Sequence, residues 1–311
     1  MKISNDNPHG CSLDHEAAKD YIEAQLEVWP LAKKNYDDLR EVKRRPMKFG
    51  KLEGAVQCNP ARIRSTGAKV DKASIEGRPC FLCEKNRPAE QLSMTILPGW
   101  QLLVNPYPIL PVHFTIVSET HRPQDQAPTD IVAIAERLPG MAVFFNGAKA
   151  GASAPDHLHL QAVLKDELPL LRFVEQEMPS NGADTVTSVQ TLGEGLPFSV
   201  YAGLVAMDDR AQTALQLSMA LGGPDSEGKP LNQELVNKFF WIDDKGYLRF
   251  VIVPRAAHRP SCYTAEGDAR RIVSPGAIDM AGIIVAPRIE DFERLTEEEI
   301  DKIYSEVGVN L

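Results

Sequence analysis

The sequence predicts an α+β fold in which an antiparallel sheet is flanked by helices. Two patterns indicate this class. Apolar runs of strand length are separated by turn residues, most plainly at 239–242 and 247–253 on either side of the turn 243–246. The broad order of strand, strand and helix also occurs twice along the chain. We therefore expect an N-terminal helical segment (1–50) followed by two halves, 51–175 and 190–311.

The helices are predicted from apolar periodicity and end signals. Residues 14–42 have apolar side chains near i, i+4 spacing, which predicts two helical segments with a break at Pro30. A short helix at 129–138 is expected to be capped by Thr129 or Asp130. In the second half, the pattern predicts a helix at 210–221 and a final acidic helix at 289–307.

The strands are predicted from apolar runs bounded by turn residues. They lie at 54–58, 102–104, 113–117, 143–145, 157–164, 198–207, 239–242, 247–253 and 281–286.

The composition is that of an ordinary globular protein and excludes several functional classes. Of 311 residues, 43% are hydrophobic and 25% are charged, which allows a substantial core. A net charge of −9 argues against a general nucleic-acid or anionic-membrane surface. We find no signal peptide, membrane span, P-loop or dinucleotide-binding glycine motif. Five cysteines without a secretion signal favour reduced thiols or metal ligands, so we expect a cytoplasmic protein.

The sharpest motif is an H-x-H-x-Q that follows a loop of small residues. If this stretch is extended, the side chains of His157, His159 and Gln161 share one face. The preceding loop contains Gly151 and Ser153, so backbone N–H groups can approach a ligand closely. These groups suit an anionic phosphoryl group and a nucleophile that attacks it. On alternation alone, a surface strand with two incidental histidines fits equally well.

Cys80 and Cys83 form a C-x-x-C, which in an intracellular protein is either a redox pair or half of a metal site. A redox pair belongs at the start of a helix after a strand, whereas Pro79 and Pro88 here favour a knuckle-like turn. Cys₂His₂ zinc is therefore the favoured hypothesis. The spacing leaves the two histidine ligands open.

Basic residues occur in two turns. Arg62 and Arg64 follow a short strand and point to one side; solvation is the default for such arginines, and contact with a phosphate is the alternative. Arg255, His258 and Arg259 lie in a turn after the strand 247–253. A solvated turn is favoured there over the lining of a second-substrate site.

Three segments together resemble the transferase branch of the histidine-triad (HIT) superfamily. This branch includes galactose-1-phosphate uridylyltransferase, diadenosine-tetraphosphate phosphorylase and GDP-L-galactose phosphorylase. The stretch 151–161 resembles their G-x-S-x-x-H-x-H-x-Q signature, 105–117 their N-x-[FY]-P-x-x-P-x-H segment, and 59–62 the phosphate segment of the uridylyltransferases. The resemblance covers roughly residues 55–165 and implies a HIT-like sheet with a second, degenerate HIT-like half. That second half looks most like an uncharacterised bacterial domain family of this branch.

The resemblance implies roles for individual residues. It makes His159 the nucleophile, with Gln161 and Ser153 assisting at the phosphoryl oxygens. It implies a structural zinc held by Cys80, Cys83, His121 and His157. The residues that it places against the substrate are Asn105, Asn146, Gly151, Arg62, Arg64 and His113, the last packed beside the nucleotide pocket rather than catalytic.

The implied function is a nucleotidyltransferase or phosphorylase with a nucleotidyl-histidine intermediate. Its donor would be a nucleotide sugar or a dinucleoside polyphosphate, and its acceptor phosphate or a sugar phosphate. Gln161 stands where the hydrolase branch has a third histidine, and an amide cannot protonate a poor leaving group. The resemblance also suggests a homodimer, and no nucleic-acid or membrane partner is expected. Two alternatives stay open, a catalytically silent nucleotide-binding or sensor protein on the same fold and a zinc-stabilised interaction module.

Overall fold

The computed structural model describes residues 12–67, 71–125, 127–180, 188–205 and 232–310. The described chain opens with two helices, α1 (His15–Val28) and α2 (Pro30–Arg40). Asp14 caps α1 by accepting a hydrogen bond from the backbone N–H of Ala17 at 2.9 Å. Pro30 occupies the first turn of α2, where its missing N–H leaves no bond unmade. The two helices predicted within residues 14–42 and their break at Pro30 are confirmed, whereas residues 43–49, inside the expected helical segment 1–50, form a strand.

The remaining elements follow in a mixed order of strands and short helices. They are β1 (Lys43–Phe49), β2 (Leu52–Cys58), α3 (Ile63–Thr66), α4 (Lys72–Glu76), β3 (Ser93–Leu97), β4 (Trp100–Val104), β5 (His113–Ser118), α5 (Ile131–Glu136), β6 (Met141–Asn146), β7 (His159–Leu164), α6 (Pro169–Glu177), β8 (Ser188–Leu192), β9 (Val200–Val205), β10 (Val236–Ile242), β11 (Leu248–Pro254), α7 (Ser261–Thr264), α8 (Ala277–Met280), β12 (Ile283–Ala286), α9 (Ile289–Arg294) and α10 (Glu297–Val307).

Nine of these strands form one antiparallel sheet in the order β3-β4-β5-β7-β6-β10-β11-β9-β8. The first five come from the first half of the chain and the last four from the second. The two sets meet where β6 pairs with β10, with Phe144 opposite Phe239 and Asn146 opposite Asn237. A second, three-stranded sheet has the order β1-β2-β12, in which β12 lies parallel to β2. The predicted α+β class with an antiparallel sheet flanked by helices is confirmed.

The large sheet is buried on both faces. On one face, Phe114, Ile116 and Phe145 pack with side chains of α1, α2 and α5. On the other face, Phe144 and Trp241 belong to a core shared with the small sheet, α6 and the C-terminal helices. Burial on both sides explains why the central strands are apolar at almost every position rather than at alternate ones.

Several details of the predicted elements differ from the structure. Asp130 precedes α5 but does not cap it with its side chain; one carboxylate oxygen accepts from the indole N–H of Trp100 at 2.8 Å instead. The predicted final helix is two helices, because Thr296 and Glu299 form a capping box that starts α10 anew. The predicted helix 210–221 lies outside the described residues. Within the described part of the chain, no helix is long and apolar enough to cross a membrane.

Candidate active site and metal centre

A cavity of about 450 Å³ opens on the face of the sheet that carries the H-x-H-x-Q motif. His159 and Gln161 of β7 line it, together with α8 from the second half. Its lining includes apolar residues of the N-terminal helices and of the C-x-x-C turn, among them Trp29, Leu31 and Phe81. Both halves of the chain therefore contribute to one cavity.

His159 is held as a neutral imidazole with one nitrogen available. Its Nδ1 lies 2.8 Å from the carbonyl oxygen of His157. Because a carbonyl oxygen can only accept, Nδ1 carries the proton and Nε2 keeps its lone pair. Burial lowers the pKa of His159 to about 4, so the ring is neutral at physiological pH. No hydrogen-bond partner for Nε2 lies within the described residues, so its lone pair remains available.

Gln161 presents its amide N–H₂ group to the cavity. The backbone N–H of Ile109 donates to His113 Nδ1 at 3.1 Å, so the proton of His113 is on Nε2. Nε2 then donates to the side-chain oxygen of Gln161 at 2.8 Å. Burial, with a smaller contribution from the charge of Arg62, lowers the pKa of His113 to about 3 and keeps it neutral. His113 does not itself line the cavity, although the resemblance places it against the substrate; its contact orients the amide of Gln161.

Two asparagines are oriented in the same way. The side-chain oxygen of Asn105 accepts from the backbone N–H of Tyr107 at 2.9 Å. The side-chain oxygen of Asn146 accepts from Asn237 Nδ2 and from the backbone N–H of Ala277, both at 2.8 Å. Since backbone N–H groups can only donate, these contacts fix which end of each amide is oxygen. Asn105, Asn146 and Gln161 all line the cavity, and each has its N–H₂ end left for a ligand.

The loop from Gly151 to Ser153 runs close to the second half of the chain. Gly151 has φ +100°, and a Cβ atom there would lie 2.5 Å from the Cα of Gly276. Only glycine fits, because both the backbone conformation and the space exclude a side chain. The backbone N–H groups of residues 151–153 donate to no acceptor within the described residues, and all three residues line the cavity. The loop therefore offers backbone donors to an anion.

Charged groups from both halves line the cavity. The guanidinium of Arg62 donates to the carbonyl of Tyr107 at 2.7 Å, while its Nε is buried without a partner in the described structure. Burial lowers the pKa of Arg62 to about 10, which still leaves it protonated at neutral pH. Asp279 is the acidic group of the cavity lining. Its carboxylate accepts from the backbone N–H groups of Gly276 and Val285, and burial raises its pKa to about 6. Arg64 lies in α3, and its side chain is outside the described structure.

The basic turn in the second half is not a solvated turn. His258 and Arg259 line the cavity. Arg255 is buried and donates to Asn237 Oδ1 and to the carbonyls of Pro275 and Val307. The expectation of solvation was wrong because β11 delivers this turn to the inner wall of the cavity instead of to the surface.

The structure brings Cys80, Cys83, His121 and His157 together beside this cavity. Their ligand atoms all lie within 4.8 Å of one another. Nδ1 of His157 lies 3.3 Å from Cys80 Sγ, 3.6 Å from Cys83 Sγ and 3.3 Å from His121 Nδ1. Cys83 Sγ lies 3.3 Å from His121 Nδ1. A zinc tetrahedron with Zn–S of about 2.3 Å and Zn–N of about 2.0–2.1 Å has edges of about 3.3–3.8 Å. The donor set and these four distances fit such an ion.

Surrounding hydrogen bonds orient the cluster. His157 Nε2 donates to the carbonyl of Ser118 at 2.8 Å, which leaves Nδ1 as the ligand atom. His157 lies in a turn before β7 rather than in the strand, because this bond and the cluster draw its ring away from the face of His159. The predicted shared face therefore holds for His159 and Gln161 alone. Asn86 donates to the carbonyl of Cys80 at 2.8 Å and closes the knuckle.

Asp156, for which the sequence indicates no role, links the motif loop to the C-x-x-C turn. Its carboxylate pairs with Arg78 at 2.7 Å. The Arg78 guanidinium lies 4.9 Å from the ring centroid of Phe81, which is 47% exposed between the two cysteines. The C-x-x-C turn thus presents the aromatic ring of Phe81 at the edge of the cavity.

Comparisons with known proteins agree with this geometry. Residues 21–164 match a family described as a domain of unknown function, DUF4922. No curated protein matches the sequence. The crystal structure of yeast Ap4A phosphorylase Apa2 in complex with Ap4A is similar over 96% of this chain and 100% of that chain, with 18% identity and a TM-score of 0.63. Its structure without a named ligand matches over 90% and 94%, with 17% identity and a TM-score of 0.54. The complex with AMP matches over 92% and 97%, with 15% identity and a TM-score of 0.53.

These similarities define the class of fold. The protein has the HIT-like fold seen in yeast Ap4A phosphorylase Apa2, and this confirms the predicted fold. Within that class, the segment that carries the C-x-x-C and the H-x-H-x-Q matches the DUF4922 domain.

Proposed function

We propose that the protein is a nucleotidyltransferase or phosphorylase that acts on a nucleotide sugar or a dinucleoside polyphosphate through a nucleotidyl-histidine on His159. The observation that carries the proposal is the donor set of the cavity. Three carboxamides, of Asn105, Asn146 and Gln161, have their oxygens occupied by protein donors and face the cavity with their nitrogens. A set that can only donate suits phosphoryl oxygens, which can only accept.

The chemistry follows from the state of His159. Its neutral Nε2 attacks the α-phosphorus, so that an N–P bond forms while the P–O bond to the leaving group breaks and its electrons depart with that oxygen. An oxygen of phosphate or of a sugar phosphate then attacks the phosphorus, the N–P bond breaks, and neutral His159 is restored. Gln161, Ser153 and the free backbone N–H groups of 151–153 hold the equatorial oxygens through both steps.

The choice between transfer and hydrolysis depends on Gln161. Its oxygen accepts from His113, and its amide nitrogen carries no acidic proton at neutral pH. The leaving group must therefore depart as a stable phosphate anion, which favours transfer to a second phosphate-bearing substrate. We place that substrate toward Arg62, His258 and Arg259, the basic part of the cavity lining.

We further propose that Cys80, Cys83, His121 and His157 bind a structural zinc. Four protein ligands leave no open position on the ion, so it would hold the C-x-x-C turn and the loop before β7 rather than take part in the reaction.

The test is covalent labelling. The protein is incubated with a panel of α-³²P-labelled donors, quenched in alkali and examined for label on protein, since phosphohistidine survives base. Labelled Ap4A enters the panel first, because the similar yeast enzyme is described with Ap4A and with AMP. We expect alkali-stable label in the wild type and a loss on the order of 10⁴-fold or more in His159→Ala.

A matched control is His258→Asn, which removes the half-buried histidine that lines the cavity and whose pKa burial lowers to about 4. We expect it to form the label at the wild-type rate and to discharge it to phosphate more slowly. Label that persists in His159→Ala would overturn the assignment of the nucleophile. A nucleotide that binds but labels no histidine would favour the catalytically silent binder.

A further inference from the structure

We propose that Gln124 is a positioning residue that holds β6 and β7 apart at the nucleophile. The inference rests on the proposed function, because its effect is measured on transfer to His159. Gln124 is fully buried, three residues beyond the cluster residue His121. Neither its sequence context nor the H-x-H-x-Q motif indicates this role.

The Gln124 carboxamide stands between the two strands. Its oxygen accepts from the backbone N–H of His159 at 2.8 Å, and its nitrogen donates to the carbonyls of Asn146 and His159, both at 2.9 Å. The β6–β7 ladder ends at Phe144 opposite Gln161. Continued by two residues, the same register would place Asn146 opposite His159, where the His159 N–H would donate directly to the Asn146 carbonyl. The side chain of Gln124 takes the place of that rung.

An inserted amide has two consequences for the site. It separates the strands at the residue that carries the nucleophile, so the chain between them can leave the sheet and form the loop of Gly151 and Ser153. It also satisfies the backbone groups of His159 that the missing rung would leave unpaired in a buried place. The backbone of His159 is thereby fixed from one side by β5 and from the other by Gln124.

Gln124 is itself anchored to the same loop. Its backbone N–H donates to the carbonyl of Pro155 at 3.0 Å, and the Leu158 N–H donates to the carbonyl of Arg122 at 2.6 Å. The segment that begins at the cluster residue His121 therefore runs beside the motif loop and ends in the carboxamide that meets His159. The nucleophile is positioned through this segment, and Gln124 itself does not line the cavity.

The first variant is Gln124→Met, which keeps the length of the side chain and removes all three hydrogen bonds. We expect the rate constant for labelling of His159 to fall roughly 100-fold, the effect that a displacement of about 1 Å has on a reacting group. The dissociation constant for the donor nucleotide is expected to change less than threefold. A change in rate without a change in binding is the signature of positioning.

The matched control is Gln25→Met. Gln25 is also fully buried, and its carboxamide also bridges backbone groups, accepting from Leu92 N–H and donating to the Glu90 carbonyl, both at 2.7 Å. Both variants remove a fully buried carboxamide together with its hydrogen bonds to the backbone, and the unfolding midpoint of each variant measures that structural cost. We expect Gln25→Met alone to keep the labelling rate constant of the wild type.

The second variant, Gln124→Glu, tests the donor role and remains informative if Gln124→Met does not fold. A protonated carboxylic acid can still accept from His159 and donate to Asn146, whereas a carboxylate faces two carbonyl oxygens without a proton. We therefore expect Gln124→Glu to label best at low pH and to lose activity as the pH rises through the pKa of the new carboxyl group. The wild type should stay level over the same range, with folding checked by circular dichroism at each pH.

The outcomes distinguish a failure of the proposed function from a failure of the role of Gln124. A wild type that forms no histidine label overturns the proposed function and this inference together. Labelling of the wild type with an unchanged rate constant in Gln124→Met, or a level pH profile in Gln124→Glu, overturns the role of Gln124 alone.

Discussion

The two halves of the chain contribute to the same sheet and the same cavity, but they contribute different chemistry. The first half carries the metal-ligand cluster, His159 and the carboxamides that face the cavity. The second half contributes one wall of the cavity, which includes Arg259 and Asp279. It also contributes buried groups that do not line the cavity, such as Asn237 and Arg255.

The difference teaches that the second half, which lacks the H-x-H-x-Q and C-x-x-C motifs, helps to orient a cavity residue of the first half. Asn146 of the first half faces the cavity with its nitrogen only because Asn237 and the Ala277 N–H, both of the second half, occupy its oxygen. Asn237 is in turn fixed by Arg255 at 2.8 Å. A chain of hydrogen bonds within the second half thus fixes the orientation of a side chain of the first.

The largest effect is expected from removing a cluster cysteine in the first half. Cys83→Ser should abolish zinc binding and lower the free energy of unfolding by roughly 4 kcal/mol or more, as loss of a bound metal does. Cys262→Ser removes a half-buried thiol of the second half that packs at the core edge and should cost little. Metal analysis and urea unfolding measure both. Equal metal content in the two variants would exclude the Cys₂His₂ site.

A change in the second half should then reach the chemistry of the first. Asn237→Asp keeps the acceptor for Arg255 but replaces the donor to Asn146 and to the Ala150 carbonyl by an oxygen. We expect the Asn146 carboxamide to rotate and the labelling rate constant to fall roughly 10- to 100-fold, since about 1–3 kcal/mol is lost with an unpaired buried group. In a double-mutant cycle with Asn146→Ala, the two effects should not add. Additive effects would show that Asn237 acts elsewhere.

The contact between the halves can be tested at a glycine. Gly151→Ala should lose more stability than Gly140→Ala, because both glycines have positive φ but only Gly151 has a backbone atom of the other half within 4 Å of a Cβ. The strain of a left-handed residue costs about 1–2 kcal/mol in each case. Thermal unfolding measures the difference between the variants. Equal losses would mean that the loop can move away from Gly276 without cost.

The smallest effect is a dependence of stability on pH to which both halves contribute. Burial lowers the pKa of His113 to about 3 and those of His159 and His258 to about 4, against about 6.5 in the unfolded chain. As the pH is lowered, the unfolded chain binds these protons before the folded protein does. The histidines therefore make their full contribution to the free energy of unfolding above pH 6.5, and this contribution is lost as the pH drops toward 4. Burial also raises the pKa of Asp279, to about 6, and those of Glu167 and Asp301, and these carboxyl groups act in the opposite direction. We expect the three histidines to decide the sign, because each of their pKa values departs further from its unfolded value than that of Asp279 does.

Unfolding midpoints between pH 4 and 8 check this sign. His258→Asn should reduce the slope below pH 6.5 by the contribution of one group. If the unfolding midpoint stays constant as the pH is lowered below 6, the three histidines are not held neutral in the folded protein.

Short-range sequence patterns predicted which residues line the candidate site, but the pairing of strands determines how those residues are oriented. The H-x-H-x-Q and C-x-x-C spacings identified His159, Gln161 and the two cysteines, because these groups act within a few residues of one another. The roles of Gln124 and Asn237 depend on which strands lie side by side, which no local pattern encodes. The break before α10 was available in the sequence, since Thr296 and Glu299 have capping-box spacing. Alternation grouped His157 with His159 and Gln161 because it takes no account of the cysteine and histidine side chains that gather around His157.

The pairing of β6 with β10 has a consequence for how the protein can be divided. Either half alone would expose one of these central strands as a long, apolar sheet edge, with its backbone N–H and C=O groups unpaired. Such an edge recruits other chains, so separately expressed halves should aggregate, while halves produced together can pair and remain dispersed. The second half therefore also shields β6, the strand that pairs with β7 next to His159, from self-association.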